Sequence, residues 1–402
     1  DGPQFMFVTG VLFATSSSKH MAPLLQHVVQ ADGAHTNFGK YTMFSAYAST
    51  ANGNMSPLAF GLLFGNEDCK NWSKFWNFVK KVHPCIDSPE VTIVTDQDKG
   101  SIAAVANTLK HAVQFHCSFH RRQNIIKTTG GGKGSTPLTA LWMYNLLSGC
   151  NSVAQLEKNQ QRYYPQMHPT DYHYLTKLDD KCQYAAARCA MGENVCMYSK
   201  SASSGVESMN KANLSARQRT GIDIINAMIL IVKLEGERFT WFKNKAWERD
   251  EVLTNRGLEL MQDVFSNINI MEYRINATAC DSVHRVTVRK TSSTNEYTVV
   301  IPMEADGYGT RFGSCTCGQP KKDGIPCCHM AVVAMSSQIN GLTRLQVMPY
   351  WYTTAHWQAQ YALDVNCPTI ESIQEVRATS TKDERLCYCP SWTATTKKGR
   401  PK

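Results

Sequence analysis

Hydrophobic and polar positions fall into strand-like runs early in the chain. Residues 27–31 are short and apolar and run into Asp32-Gly33. Residues 41–49 alternate, and residues 58–64 are apolar between turn signals, so three strands are predicted. Trp72, Phe75, Trp76, Val79 and Val82 then share one helical face. Residues 91–95 form a β-branched run that stops at Asp96. Ile102, Val105 and Leu109 mark a second helix, and residues 113–116 a further short strand ending at Cys117. Three strands in a row followed by two strand–helix alternations predict an antiparallel meander continued by parallel strands.

Beyond this the pattern changes. Gly130-Gly131-Gly132-Lys133-Gly134-Ser135 lacks the spacing of a phosphate loop and follows no strand, so it reads as a mobile loop. Residues 137–198 read as mostly helical. Residues 205–250 read as one or two long helices, with Ile225, Met228, Ile229 and Val232 on the buried face. Residues 283–288 and 297–301 read as a hairpin around 292–295, and residues 329–335 open another helix. No internal repeat is seen.

Composition narrows the class without naming it. The chain has 402 residues, 43% hydrophobic and 19% charged, which suits a globular protein of more than one domain. A net charge of +9 favours a polyanionic partner such as nucleic acid without demanding one. Fifteen cysteines scattered over a long chain do not resemble a small secreted disulfide scaffold, so a reducing, intracellular compartment is expected. No apolar run is long enough to span a membrane, and the apolar residues 5–14 lack the basic flank of a signal peptide. The chain begins at Asp1, which reads as a fragment or a trimmed start.

The most specific chemistry lies near the end. Cys315-Thr316-Cys317 and Cys327-Cys328-His329 are separated by a loop holding Gly318 and Gly324. Thiolates and imidazole in this arrangement suit a tetrahedral structural zinc site. Cys328 competes with Cys327 for third-ligand rank, and Cys327 is preferred. The finger either contacts DNA or only folds a small domain with the hairpin.

Acids mark a second site. Asp32 and Asp96 sit where apolar strands end, and Glu207 follows the cap candidates Ser203 and Ser204. Each also has an ordinary reading. Asp32-Gly33 suits a hairpin turn, and Asp96 a turn before a helix, with Asp98 able to replace it as the functional acid. Glu207 suits an acid favoured by a helix dipole. Cys117 reads as a ligand or a buried thiol. His120-Arg121-Arg122 reads as a phosphate-contact patch or a solvated helix face.

In order along the chain, these motifs resemble Mutator-like (MULE) transposases. Asp32-Gly33-Ala34-His35 resembles that family's first acidic block, and Thr95 to Gly100 the second. Cys117-Ser118-Phe119-His120 fits its Cys-x-x-His, and Gly205 to Asn210 resembles its third acidic block. Cys315, Cys317, Cys327 and His329 match its SWIM finger. The closing Gly399-Arg400-Pro401-Lys402 is common after that finger. It resembles an AT-hook core with Arg400 in the minor groove, and reads equally as a disordered basic tail or a nuclear import signal.

The resemblance implies an α/β, RNase H-like mixed sheet with a helical insertion, followed by a small zinc-binding SWIM domain. It divides the chain into a lead-in (1–27), a first core part (28–127), a helical insertion (128–199), and last core helices with the third acid (200–250). A connector with the hairpin (251–309), the finger (310–338) and a C-terminal region with a basic tail (339–402) follow. It further implies DNA transposition in the nucleus by a multimer. Asp32, Asp96 and Glu207 would hold two Mg²⁺ or Mn²⁺ ions on the order of 4 Å apart, beside a structural Zn²⁺. The partners would be terminal inverted repeats and target DNA. The alternative is a domesticated DNA-binding transcriptional regulator without catalysis; a more distant one is a SWIM-type protein adaptor.

Overall fold

The computed structural model describes residues 9–37, 40–128, 142, 145–167, 169–218, 224–280 and 282–363. The glycine-rich 130–135 stretch and Arg400 lie outside the described residues.

A six-stranded sheet forms the core: β1 (Gly10–Phe13), β2 (Val28–His35), β3 (Tyr41–Ser49), β4 (Met55–Phe64), β5 (Thr92–Thr95) and β6 (Val113–His116). The order is β1-β4-β3-β2-β5-β6. β1 to β4 pair antiparallel, and β2, β5 and β6 run parallel. The meander continued by parallel strands is therefore observed. Its antiparallel edge, β1, comes from the segment read as a lead-in.

All nine residues of β3 are buried, because both faces of the sheet are covered. Phe44, Ala46 and Ala48 face one core. There they meet α2 (Cys69–Val82) and α3 (Lys99–Thr108), which follow α1 (Ser16–Met21) in the chain. The predicted Trp72, Phe75, Trp76, Val79 face is the buried one, with Val82 only half-buried. Trp72 meets Phe44 edge-on at 4.8 Å between ring centroids. Met43 and Tyr47, of opposite parity in β3, face a second core.

α4 (Ser118–Thr128) leaves β6. The insertion then carries α5 (Val153–Tyr163), α6 (Pro169–Thr176) and α7 (Ala185–Cys189), and contains no strand among the described residues. It docks on the parallel edge of the sheet through Ala185, Cys189 and Met197, packed against Val28, Val94 and Phe115. The chain returns as α8 (Ser204–Ala212), α9 (Leu214–Gln218) and α10 (Ile224–Trp247) over the second core.

The register of α10 corrects the sequence reading. Ile224, Ala227 and Ile231 are buried, whereas Ile225 is 37% exposed and Met228, Ile229 and Val232 are half-buried. The stretch 224–232 is apolar nearly all round, so periodicity cannot choose a face, and packing against the sheet selects the stripe with the small Ala227. Further along, Glu235 is buried with three donors: Tyr47 Oη at 3.0 Å, Asn213 Nδ2 at 3.1 Å and Arg238 Nη1 at 2.6 Å.

After α11 (Asn255–Phe265) comes a second sheet of β7 (Tyr273–Cys280), β8 (Val283–Lys290), β9 (Glu296–Pro302) and β10 (Ser314–Cys315), in the order β10-β9-β8-β7. The predicted hairpin is β8–β9; β7 was not foreseen. α12 (Gln319–Asp323), α13 (Cys328–Met335) and α14 (Thr354–Gln360) complete the chain. Val286, Val288, Val299 and Ile301 share one core with Met330 to Val333, so connector and finger fold around a common interior. No described helix is long and apolar enough to cross a membrane.

Candidate active site and zinc centre

Asp32 lies within β2, opposite Ser45 of β3, and not at a strand end or hairpin turn. Strand hydrogen bonding continues past Asp32-Gly33 to His35, which removes the turn reading. Asp96 does follow the last residue of β5. The parallel pairing of β2 with β5 brings these two chain segments side by side. Asp98 is the N-cap of α3, its Oδ1 accepting from Gly100 N at 2.8 Å and Ser101 N at 3.1 Å. A carboxylate used as a cap is committed to the helix. Asp96 Oδ1 accepts from Asp98 N at 3.1 Å and otherwise faces the acids.

Glu207 lies in the first turn of α8. Its Oε1 accepts from Ser203 Oγ at 2.8 Å and sits 3.7 Å from His120 Nε2. One turn later, Asn210 Nδ2 donates to Asp32 Oδ2 at 2.9 Å while Ser45 Oγ donates to Asn210 Oδ1 at 2.8 Å. The i, i+3 spacing aims Glu207 and Asn210 from one helix face toward the sheet. Asn210 thereby ties the third acidic block to the first.

The acids act on one another. Burial raises the Asp32 carboxyl to about 6; the Asn210 hydrogen bond opposes this, and the Asp96 and Glu207 charges add to it. Asp96 is raised by burial and by neighbouring acids. A fourth carboxylate, Glu67, sits against Gly33, where any Cβ would lie within 2.7 Å of its carboxyl atoms. Burial, then Asp96 and Asp32, raise Glu67 to about 7. Nothing in the sequence marked Glu67; the one signal was an acid just before Asp68, the N-cap of α2. Such a set of hard oxygen donors holding unfavourable charge suits divalent cations.

Cys117 is fully buried at the end of β6, its Sγ accepting from Ser203 N at 3.2 Å. Its thiol acts on the His120 ring; that interaction raises the imidazole to about 9, helped by the Glu207 and Asp96 charges. The thiol itself is pushed up by burial, and His120 with Ser203 outweighs this to leave it below its ordinary value. No metal cluster forms around Cys117 among the described residues.

At the finger, Cys315, Cys317, Cys327 and His329 each offer one donor atom, all within 4.8 Å of one another. His329 Nδ1 lies 3.7 Å from Cys315 Sγ and 3.8 Å from Cys327 Sγ. A tetrahedron with Zn–S of about 2.3 Å and Zn–N of about 2.0 Å has S···N edges of about 3.5 Å, so the donor set fits zinc. Cys327 is buried and belongs to this donor set, whereas Cys328 is exposed and lies outside it. Gly318 and Gly324 bound α12 at φ 81° and 65°, a left-handed backbone that favours glycine.

Residues 28–124 match the MULE transposase domain, and residues 297–338 match the SWIM zinc finger. The chain thus holds one stretch similar to the MULE transposase domain and one similar to the SWIM zinc finger. No curated protein matches it. The MULE match takes in Asp32, Glu67, Asp96, Cys117 and His120, and ends before Glu207. The SWIM match begins at Tyr297, so it includes β9 as well as the ligands; the Tyr297 ring stacks on His329 with centroids 4.0 Å apart.

Within the stretch that matches the MULE transposase domain, the basic pair after His120 divides. Arg121 is fully buried, donates to Gln183 Oε1 at 2.6 Å and lies over the Tyr174 ring. It anchors the insertion to α4 and is withdrawn from any surface patch, because the α4 face it occupies is the one the insertion covers. Arg122 is exposed. The SWIM finger is also seated on the body. Lys322 Nζ donates to Ser148 O at 2.8 Å, and Met197 N donates to Lys322 O at 3.0 Å.

Proposed function

We propose that this protein is a DNA transposase that cleaves and joins phosphodiester bonds with divalent metal. The observation carrying the proposal is that Asp32, Asp96 and Glu207, from three separate elements, are linked by mutual charge and by the Asn210 and His120 bridges. Asp32, Asp96 and Glu207 would hold Mg²⁺ or Mn²⁺, which supplies Lewis-acid stabilisation of charge at phosphorus and activates a water or a 3′-hydroxyl. Asn210 keeps Asp32 oriented, and Ser203 keeps Glu207 oriented. His120, held protonated by Cys117 and the acids, presents a positive charge beside Glu207 where phosphate oxygens would lie. The zinc centre is structural, packing α12 against the segment that leads into α8. Nuclear action on terminal inverted repeats and target DNA, by a multimer, belongs to the same reading.

The test is Mg²⁺- or Mn²⁺-dependent cleavage and joining of DNA carrying the inverted repeats that flank the coding region. Asp32→Ala, Asp96→Ala and Glu207→Ala should each lower the rate at least a hundredfold while zinc content stays constant. Activity surviving all three changes would sink the site assignment. Tight DNA binding without cleavage under either metal would favour a transposase-derived regulator.

A further inference from the structure

At the start of α4, on the residues flanking His120, lies a cavity of about 330 Å³ that the proposed chemistry does not use. Three parts of the fold build it: the start of α4, the insertion and α12 of the finger. This volume sits at the small end of ligand clefts, which run from about 300 to 1,000 Å³, and admits one nucleotide but no duplex. Phe119 stands at its wall, 47% exposed, with its ring against His120 at 5.7 Å between centroids. Leu147, Ala185 and Met197 make part of the lining apolar, and the exposure of Phe119 leaves ring surface open to a ligand. Arg122, also exposed, provides a cation at the same wall.

Another part of the lining is polar and buried. Lys322 is 6% exposed and is held by Ser148 O and by Asp323 Oδ1 at 3.6 Å. Asp323 in turn accepts from Ser199 Oγ at 3.0 Å. Ser201 Oγ lies 3.0 Å from Ser118 Oγ and 3.1 Å from Ser148 Oγ, a row of hydroxyls able to donate or accept. The wall is also strained: Tyr198 and Ser199 have φ 48° and 56°, which non-glycine residues adopt rarely. Strain of this kind gathers at ligand sites. From Ser199 the chain runs straight on to Ser203 and Glu207.

We infer that this cavity receives a single unpaired nucleotide of the DNA strand, its base on Phe119 and its polar edge toward the hydroxyls and the Lys322–Asp323 pair. Arg122 contacts the adjoining phosphate. A ring to stack on, a cation for the backbone and groups for a base edge are what extrahelical or single-stranded recognition requires. Phe119 touching His120, which touches Glu207, puts the unpaired nucleotide next to the scissile bond. The inference rests on the transposase reading for its DNA, and its test is independent of catalysis.

The probe is a duplex with one unpaired 2-aminopurine nucleotide, compared with the same duplex carrying an abasic residue at that position. Binding to the full chain is measured without added Mg²⁺ or Mn²⁺. The base-containing bulge should bind roughly tenfold tighter than the abasic one, with 2-aminopurine fluorescence quenched. Phe119→Ala should abolish both differences and Phe119→Trp should keep them. Arg122→Ala should weaken both probes alike. Equal affinity for the two probes, or a preference that survives Phe119→Ala, would overturn the inference. If the base preference is absent while cleavage still depends on the three acids, the cavity assignment alone fails. If cleavage ignores the acids while the base preference holds, only the catalytic reading fails.

Discussion

Asp32→Asn should stabilise the metal-free protein at alkaline pH while destroying metal binding. The substitution keeps the side-chain shape and an oxygen able to accept from Asn210, and removes one charge from a buried group of acids. The Asp32 carboxyl titrates at about 6 in the fold against 3.8 in the unfolded chain. A group raised in this way binds its proton more tightly when folded. Its favourable contribution is complete below pH 3.8 and is lost as the pH rises through about 6. At pH 8 the wild type therefore bears the whole cost of the charge. At about 1.4 kcal/mol per pKa unit that cost approaches 3 kcal/mol. Asp32 retains some solvent contact, and screening brings the expected gain of the variant to about 2 kcal/mol. Denaturant unfolding of both proteins at pH 4, 6 and 8, without and with Mg²⁺, reads it directly. The gain should shrink toward zero at pH 4. Mg²⁺ at pH 8 should stabilise the wild type and leave Asp32→Asn unmoved. A variant no more stable than wild type at pH 8, or a gain that does not fall with pH, would refute the account of Asp32 as a charge held at a cost.

Three further outcomes are expected. Cys327→Ser should lose the bound zinc by elemental analysis, whereas Cys328→Ser should keep it, since only Cys327 points into the donor cluster. Arg121→Ala should cost about 3 kcal/mol in unfolding, because it empties a buried site and strands the Gln183 amide oxygen; Arg122→Ala should leave stability within about 0.5 kcal/mol. Trp76→Ala, in the core between β3 and α2, should cost about 3–5 kcal/mol by thermal or denaturant unfolding while zinc content stays unchanged.

The finger was legible because its chemistry is local. Cys315 and Cys317 leave a short strand, Cys327 and His329 start a helix, and a loop of nine residues joins the two pairs, so spacing alone nearly dictates the cluster. Only the folded geometry separates Cys327 from Cys328. The core strands were legible for a related reason: β-branched and apolar runs bounded by turn residues mark them whatever they pair with. Asp32 was found as a residue and placed at a strand end rather than within the strand, because Asp-Gly carries a turn signal that the pairing with β3 overrides.

What the sequence by itself determined is most of the core elements, their order and the chemical types at two candidate sites; β1 and β7 were not among them. Short-range geometry and periodicity hold that information in runs of a few residues. Tertiary structure alone decided which acids face one another, since β2, β5 and α8 meet only across the sheet. It chose Asp96 over the capping Asp98, brought in Glu67 beside Gly33 and buried Arg121 under the insertion. It also set the stripe of α10 and enclosed the cavity beside Phe119. Apart from the local Asp98 cap, each of these depends on contacts between residues far apart in the chain, and such contacts leave no period in the sequence.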